Sequence, residues 1–218
     1  MSNIFSRNKP FLLNRANFFR LTHTVAGYVP ITNTITFAAE LRMGLDVVPW
    51  CASRPNIGTP ATWTCTYPDR LFFMGGFDSM RGWLQDTFVP QDYADVIKAD
   101  FSKPSSDPLK FTIAQVPLRG GNLMINPRLE LRIPIVSPLE TVLFFDSGNL
   151  WADASYPFTN GFHFALRTSV GTGLRLQTPI GPVVFDYGIN LSRLIDGPSD
   201  PRYTYEDFGA FHFAIGLF

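Results

Sequence analysis

Charged residues are scarce in this sequence. They make up 17% of its 218 residues, against about a quarter in soluble domains, and 18 Lys and Arg balance 18 Asp and Glu. A chain without a basic excess cannot neutralise many phosphates, so we expect no nucleic-acid partner. The sequence also lacks an apolar run of about 18 residues, which excludes a membrane-spanning helix.

The signatures of catalytic and metal sites are missing as well. The sequence has no CxxC, HExxH or Cys/His cluster, and its three histidines are isolated from one another. It has no GxSxG, no P-loop and no dinucleotide fingerprint. We therefore expect no metal, no cofactor and no enzymatic activity.

The sequence is rich in phenylalanine and in segments where apolar and polar residues strictly alternate. It contains 21 Phe, and seven segments alternate in polarity with the period of a β-strand. These segments lie at 15–28, 35–47, 123–135, 140–151, 162–177, 183–191 and 208–218. Within a strand, residues of even and odd number face opposite sides of the sheet. We expect the even-numbered residues Glu130 and Asp146 to share the inward side. The pattern predicts an all-β protein.

Two all-β folds show such alternation. A soluble β-sandwich turns its apolar face inward, whereas a membrane barrel turns it toward lipid and lines its lumen with the polar face. Several segments exceed the roughly 5–6 residues of a soluble strand and approach the roughly 9–11 of a tilted membrane strand. All four lysines fall outside the segments, and short connections alternate with longer ones, the longest at about 49–121. An antiparallel transmembrane β-barrel of the outer-membrane type is therefore favoured, with the sandwich as the alternative.

Five motifs in order resemble one family of outer-membrane barrels. They are GGFDSMRGW at 75–83, RLELRIPI at 128–135, ETVLFFDSGNLW at 140–151, GTGLRLQTPIGPVVFDYG at 171–188 and FHFAIGLF at 211–218. Together they are similar to the C-terminal half of the BamA/TamA-type outer-membrane protein assembly factors, the bacterial surface antigen superfamily. Two details differ: Met80 stands where the family usually has Val, and one residue instead of two separates Gly216 from the final Phe218.

The resemblance implies a fold and a function. The seven strands would be the C-terminal part of a roughly sixteen-stranded barrel, without a POTRA domain in the sequence at hand. The implied location is the outer membrane of Gram-negative type, and the implied role is to assemble or transport other outer-membrane β-barrel proteins. A passive pore or structural surface antigen without insertase activity is the alternative.

Expected partners follow from the same resemblance. They are the lipid bilayer, substrate barrel proteins, and an N-terminal barrel half with POTRA domains from the same gene product or a separate chain. Seven strands alone leave two unpaired edges, which lipid does not tolerate, so we expect this chain not to close into a barrel as a monomer.

The resemblance also implies two sets of functional residues. In the family the long loop folds into the lumen, and its arginine meets acidic residues of the wall, a role that falls to Arg81 with Glu130 and Asp146. The loop motif then comprises Gly75, Gly76, Arg81, Gly82 and Trp83. The last strand would form one side of a lateral seam, and its residues are Phe211, Phe213, Ile215, Gly216 and Phe218.

The two cysteines leave a choice open. Cys51 and Cys65 flank a polar stretch, and by spacing alone they can be free thiols or a disulfide that closes a loop of about 15 residues. The resemblance places both in a long outer loop, away from the reducing cytosol, where disulfides persist. We therefore hypothesise a bond between them.

Overall fold

A computed structural model describes residues 18–47, 68–101, 119–159, 164–179 and 181–216. Within these residues, seven strands form one antiparallel sheet, and each strand pairs with its neighbours in sequence. The strands are β1 Phe19–Pro30, β2 Thr36–Val47, β3 Leu123–Val136, β4 Leu139–Trp151, β5 Arg167–Leu176, β6 Val183–Asn190 and β7 Gly209–Ile215. The all-β, antiparallel prediction is confirmed. The sandwich alternative is wrong, because it requires two facing sheets.

The two faces of the sheet differ in what covers them. We call the face that packs against residues 68–101 the inner face. It buries polar side chains such as Asp146, Arg175 and His212, whereas Leu143 and Phe213 on the outer face are 49% and 54% exposed. A soluble sheet would bury its apolar face. Exposure of the apolar face is the arrangement of a barrel that meets lipid.

Short and long connections alternate along the sheet. Residues 31–35, 137–138 and 177–182 join three strand pairs at one end, and residues 48–122, 152–166 and 191–208 join the others at the opposite end. In their described parts, the longer connections contain three α-helices: α1 Gln91–Phe101, α2 Tyr156–Thr159 and α3 Leu191–Asp196. No helix within the described ranges is long and apolar enough to cross a membrane.

Several boundaries differ from the sequence prediction. β5 begins at Arg167, although alternation suggested 162. Asn149 takes the carbonyl oxygen of Ala165 as a hydrogen-bond acceptor, and the ring of Phe164 packs edge-on against Trp151 at a centroid distance of 5.5 Å. Both contacts draw residues 164–166 out of the ladder. β7 ends at Ile215, and Phe218 lies outside the described residues.

Residues 68–101 of the long connection pack against the inner face and form an apolar interior with it. One apolar cluster joins this segment to β4, and its buried members are Met74, Met80, Trp83, Phe88 and Leu150. A second cluster surrounds α1, a helix in what the sequence predicts to be a loop. Its buried members are Val89, Tyr93, Ala94, Val96, Ile97 and Ala152. Residues 68–101 therefore form a hydrophobic core together with the end of β4.

Candidate functional site

The loop motif, residues 75–83, is held in a compact turn against the inner face. Gly75 and Gly76 have φ angles of 105° and 101°, a backbone region that L-residues with side chains rarely adopt. The amide of Gly76 donates to the carbonyl of Trp83 at 3.0 Å, and the Ser79 hydroxyl accepts from the Gly75 amide at 3.0 Å. These bonds close the turn and direct Arg81 toward the wall.

Arg81 is fully buried and meets three carboxylates. Its Nε and Nη2 donate to the two oxygens of Asp146 at 2.8 and 2.6 Å, and its Nη1 donates to Glu130 at 2.6 Å. The same Nη1 lies 3.3 Å from Asp186. A bidentate pair of this kind is among the strongest charge-assisted contacts that a protein makes. The structure thus brings Arg81 together with both residues named from the sequence, and adds Asp186.

Two further arginines complete a balanced group on the wall. Arg128 lies 3.5 Å from Asp146 and donates to the carbonyl oxygens of Phe77 and Asp78, both at 3.0 Å. Arg175 forms an ion pair with Asp186. We call Arg81, Arg128, Arg175, Glu130, Asp146 and Asp186 the arginine cluster. The sequence alone does not identify Asp186, Arg128 and Arg175 as members of this cluster, although their parity places them on the inner face.

The main chain of the motif packs as closely as its side chains. A Cβ atom added to Gly82 would lie 2.6 Å from Cβ of Ser169, and one added to Gly188 on β6 would collide with the carbonyl of Arg81. Both glycines permit a close approach of two backbones. Trp83 is fully buried beside the ring of Phe88, at a centroid distance of 4.9 Å.

A second buried ion pair holds the loop at Phe88 and Val89. Arg167 at the start of β5 pairs with Glu206 in the β6–β7 connection, and its guanidinium stacks 3.6 Å above the ring of Phe88. Arg167 also donates to the carbonyl oxygen of Val89, and Glu206 accepts from the Val89 amide at 3.0 Å. The pair therefore binds the main chain of Val89, just before α1.

Asp92 fastens α1 to the end of β4. Its carboxylate accepts from the amides of Ala152 and Asp153 at 3.1 and 2.8 Å. Burial raises the pKa of Asp92 to about 6, although these hydrogen bonds act in the opposite direction. A carboxyl group with this pKa changes its charge near neutral pH.

Of the proposed seam residues, Phe211, Phe213 and Ile215 lie on the strand at one edge of the sheet. β7 pairs with β6, and the outward side chains of Phe211, Phe213 and Ile215 are 59%, 54% and 50% exposed. Gly216 follows with a φ of 67° and donates to the carbonyl of Pro182 at 3.0 Å. The cysteines Cys51 and Cys65, for which a disulfide was hypothesised, lie outside the described residues.

The described residues offer no group of three His, Cys, Asp or Glu side chains that could hold a metal ion. The acidic side chains of the arginine cluster are instead paired with guanidinium groups. The cluster is therefore suited to holding chain segments together.

Comparison with known proteins identifies the fold. Residues 4–218 match the model of the Omp85 superfamily domain. BamA from Haemophilus ducreyi, in a structure lacking POTRA domains 1–3, is similar with a TM-score of 0.56 and 23% sequence identity. The match covers 90% of this chain and 34% of that one, so the chain spans about a third of the length of that BamA chain.

Proposed function

The chain belongs to the Omp85 superfamily, and on that premise we propose that it is an outer-membrane barrel segment that inserts or translocates other outer-membrane β-barrel proteins. The observation that carries this proposal is the edge strand β7. It has a hydrogen-bonded neighbour in β6, while its other edge has no partner among the described residues. An edge strand presents unpaired amide and carbonyl groups, which can template an incoming strand.

We propose that β7 forms one side of a lateral seam. Its outward face of Phe211, Phe213 and Ile215 suits lipid, and its pairing with β6 spans only the seven residues Gly209–Ile215. A short ladder opens at a lower free-energy cost than the longer ladders between β2, β3 and β4. The other side of the seam would come from strands outside this chain, in an N-terminal barrel half that also carries POTRA domains.

The loop motif has a supporting role in this proposal. With Arg81 held by the arginine cluster, the loop would lie inside the barrel and cover part of the inner face of the sheet. No catalytic chemistry is assigned to it, because each buried carboxylate of the cluster is neutralised by an arginine. The protein would act through strand pairing rather than as an enzyme.

Site-specific photocrosslinking tests the seam. A photoreactive residue at Phe213 in the complete protein, reconstituted in proteoliposomes, should crosslink to an unfolded barrel protein during its insertion. Phe145 is the matched control, because it faces outward on the central strand β4 and is 38% exposed. Equal crosslinking at both positions would contradict a seam at β7. Ion conductance without faster insertion of the barrel protein would instead identify a passive pore.

A further inference from the structure

Arg81 reaches the wall in two directions. Its side chain contacts Glu130 on β3 and Asp146 on β4, while its carbonyl oxygen accepts a hydrogen bond from Nε2 of His212 on β7 at 3.0 Å. A carbonyl oxygen can only accept, so Nε2 of His212 carries the proton. One residue of the loop is thus bonded to the middle of the sheet and to its last strand.

The inner face of β7 has few other ways to contact the loop. Its inward residues are Ala210, His212 and Ala214, and all three are buried. Alanine offers no polar group and little reach, so the polar contact of this strand with the loop is concentrated at His212. His212 is 8% exposed, so little of the residue is open to water.

The position of the accepting carbonyl is sharply defined. Gly188 of β6 leaves room for the Arg81 carbonyl where any side chain would collide with it. Asp186, the residue opposite His212 in the β6–β7 ladder, is paired with Arg175 and lies 3.3 Å from Nη1 of Arg81. The close approach to Gly188 and the contact with Asp186 thus place Arg81 beside His212 on the neighbouring strand.

We infer that His212 is a positioning residue that ties the last strand to the loop motif, so that withdrawal of the loop loosens β7. β7 is an edge strand, and one buried hydrogen bond is a large addition to its short ladder. The inference rests on the proposed function only for the role of β7 as a seam. The bond itself would couple loop and strand whatever the protein transports.

Hydrogen exchange of the β7 amides measures this coupling. In the complete protein reconstituted in nanodiscs, His212→Ala should speed exchange in residues 209–215 about five-fold, the effect of losing roughly 1 kcal/mol. His212→Gln should restore most of the protection, because its side-chain amide can donate to the same carbonyl. His23→Ala is the matched control, since His23 lies on the exposed strand β1, and it should leave β7 unchanged.

A double-variant comparison separates coupling from a local packing defect. Arg81→Ala releases the loop and should itself speed exchange in β7, and adding His212→Ala should then have no further effect. Equal increments in both backgrounds would overturn the inference, as would wild-type exchange in His212→Ala. If His212→Ala does not fold, His212→Asn replaces it, because its shorter amide leaves the carbonyl without a donor.

The measurement needs no substrate protein. Failure of the insertion assay would refute the proposed function and leave the exchange result valid. Conversely, normal insertion with uncoupled exchange would refute the role of His212 alone.

Discussion

Removing the Arg81 side chain should release the loop from the wall. In Arg81→Ala, Asp146 loses a bidentate partner at 2.8 and 2.6 Å and keeps Arg128 at 3.5 Å and the main-chain amide of residue 81 at 3.1 Å. Breaking a buried ion pair costs about 3–5 kcal/mol, because one charge is left without compensation. Asp186 retains Arg175, and Glu130 retains Arg132 at 3.0 Å, so we expect a loss near the lower end, about 3 kcal/mol.

Limited proteolysis of the loop is a direct assay of this loss. When opening and closing are fast relative to cleavage, the cleavage rate follows the population of the open form. A loss of about 3 kcal/mol then corresponds to cleavage within 68–101 that is roughly 100-fold faster. Arg81→Lys retains the charge but not the planar fork, so it should fall between alanine and wild type.

An exposed arginine of the same segment provides the control. Arg70 pairs with Asp69 at 3.5 Å, and both side chains are more than half exposed. Arg70→Ala should change the free energy of loop opening by less than about 0.5 kcal/mol. Cleavage of Arg81→Ala within a factor of two of wild type would refute the reasoning, because the arginine cluster would then contribute nothing to docking.

Three further expectations concern the same loop and the same proteolysis assay. Asp92 has a pKa of about 6 when docked and 3.8 in water, so docking gains protons and should strengthen by about 1.4 kcal/mol from pH 7 to pH 5. Cleavage, normalised to a free peptide, should slow accordingly in wild type but not in Asp92→Asn, and faster cleavage at pH 5 would contradict this. Glu206→Ala leaves the buried Arg167 of β5 without its carboxylate partner and should speed cleavage near α1 about 100-fold. An unchanged cleavage rate would show that this ion pair does not hold the loop in place. Gly188→Ala sets a methyl group against the Arg81 carbonyl and should weaken docking by about 1–3 kcal/mol. Gly27→Ala, at which an added Cβ meets nothing within 4 Å, should not, and equal effects of the two would refute the close-packing argument.

The strands were predictable because their signal is local. In a barrel wall each residue meets either lipid or the interior, and the choice alternates along the chain. Parity therefore assigned Glu130 and Asp146 to the same face correctly, and the same rule holds for Asp186 and His212. The resemblance then pointed to the contact of the loop arginine with the first two.

The remainder of the site depended on information that parity does not contain. Parity gives the face of a residue but not the height at which the loop crosses it, so Asp186 and His212 were not recognised as contacts of Arg81. Helix α1 was missed because its buried residues face a surface made by the β4 end and the β6–β7 connection. The late start of β5, at Arg167 instead of 162, likewise depends on a side chain of another strand, Asn149.

The distribution of charge in the arginine cluster also constrains how the loop can move. The wall contributes three carboxylates and two arginines to the cluster, and the loop contributes the third arginine. With the loop docked, the six side chains of the cluster carry equal numbers of positive and negative charges, and withdrawal of Arg81 leaves the other five with one excess negative charge. A buried charge without a partner is costly, so we expect water or another cationic group to replace Arg81 as it leaves. Because the same residue holds His212, hydration of the inner face and loosening of β7 would then be two results of a single displacement.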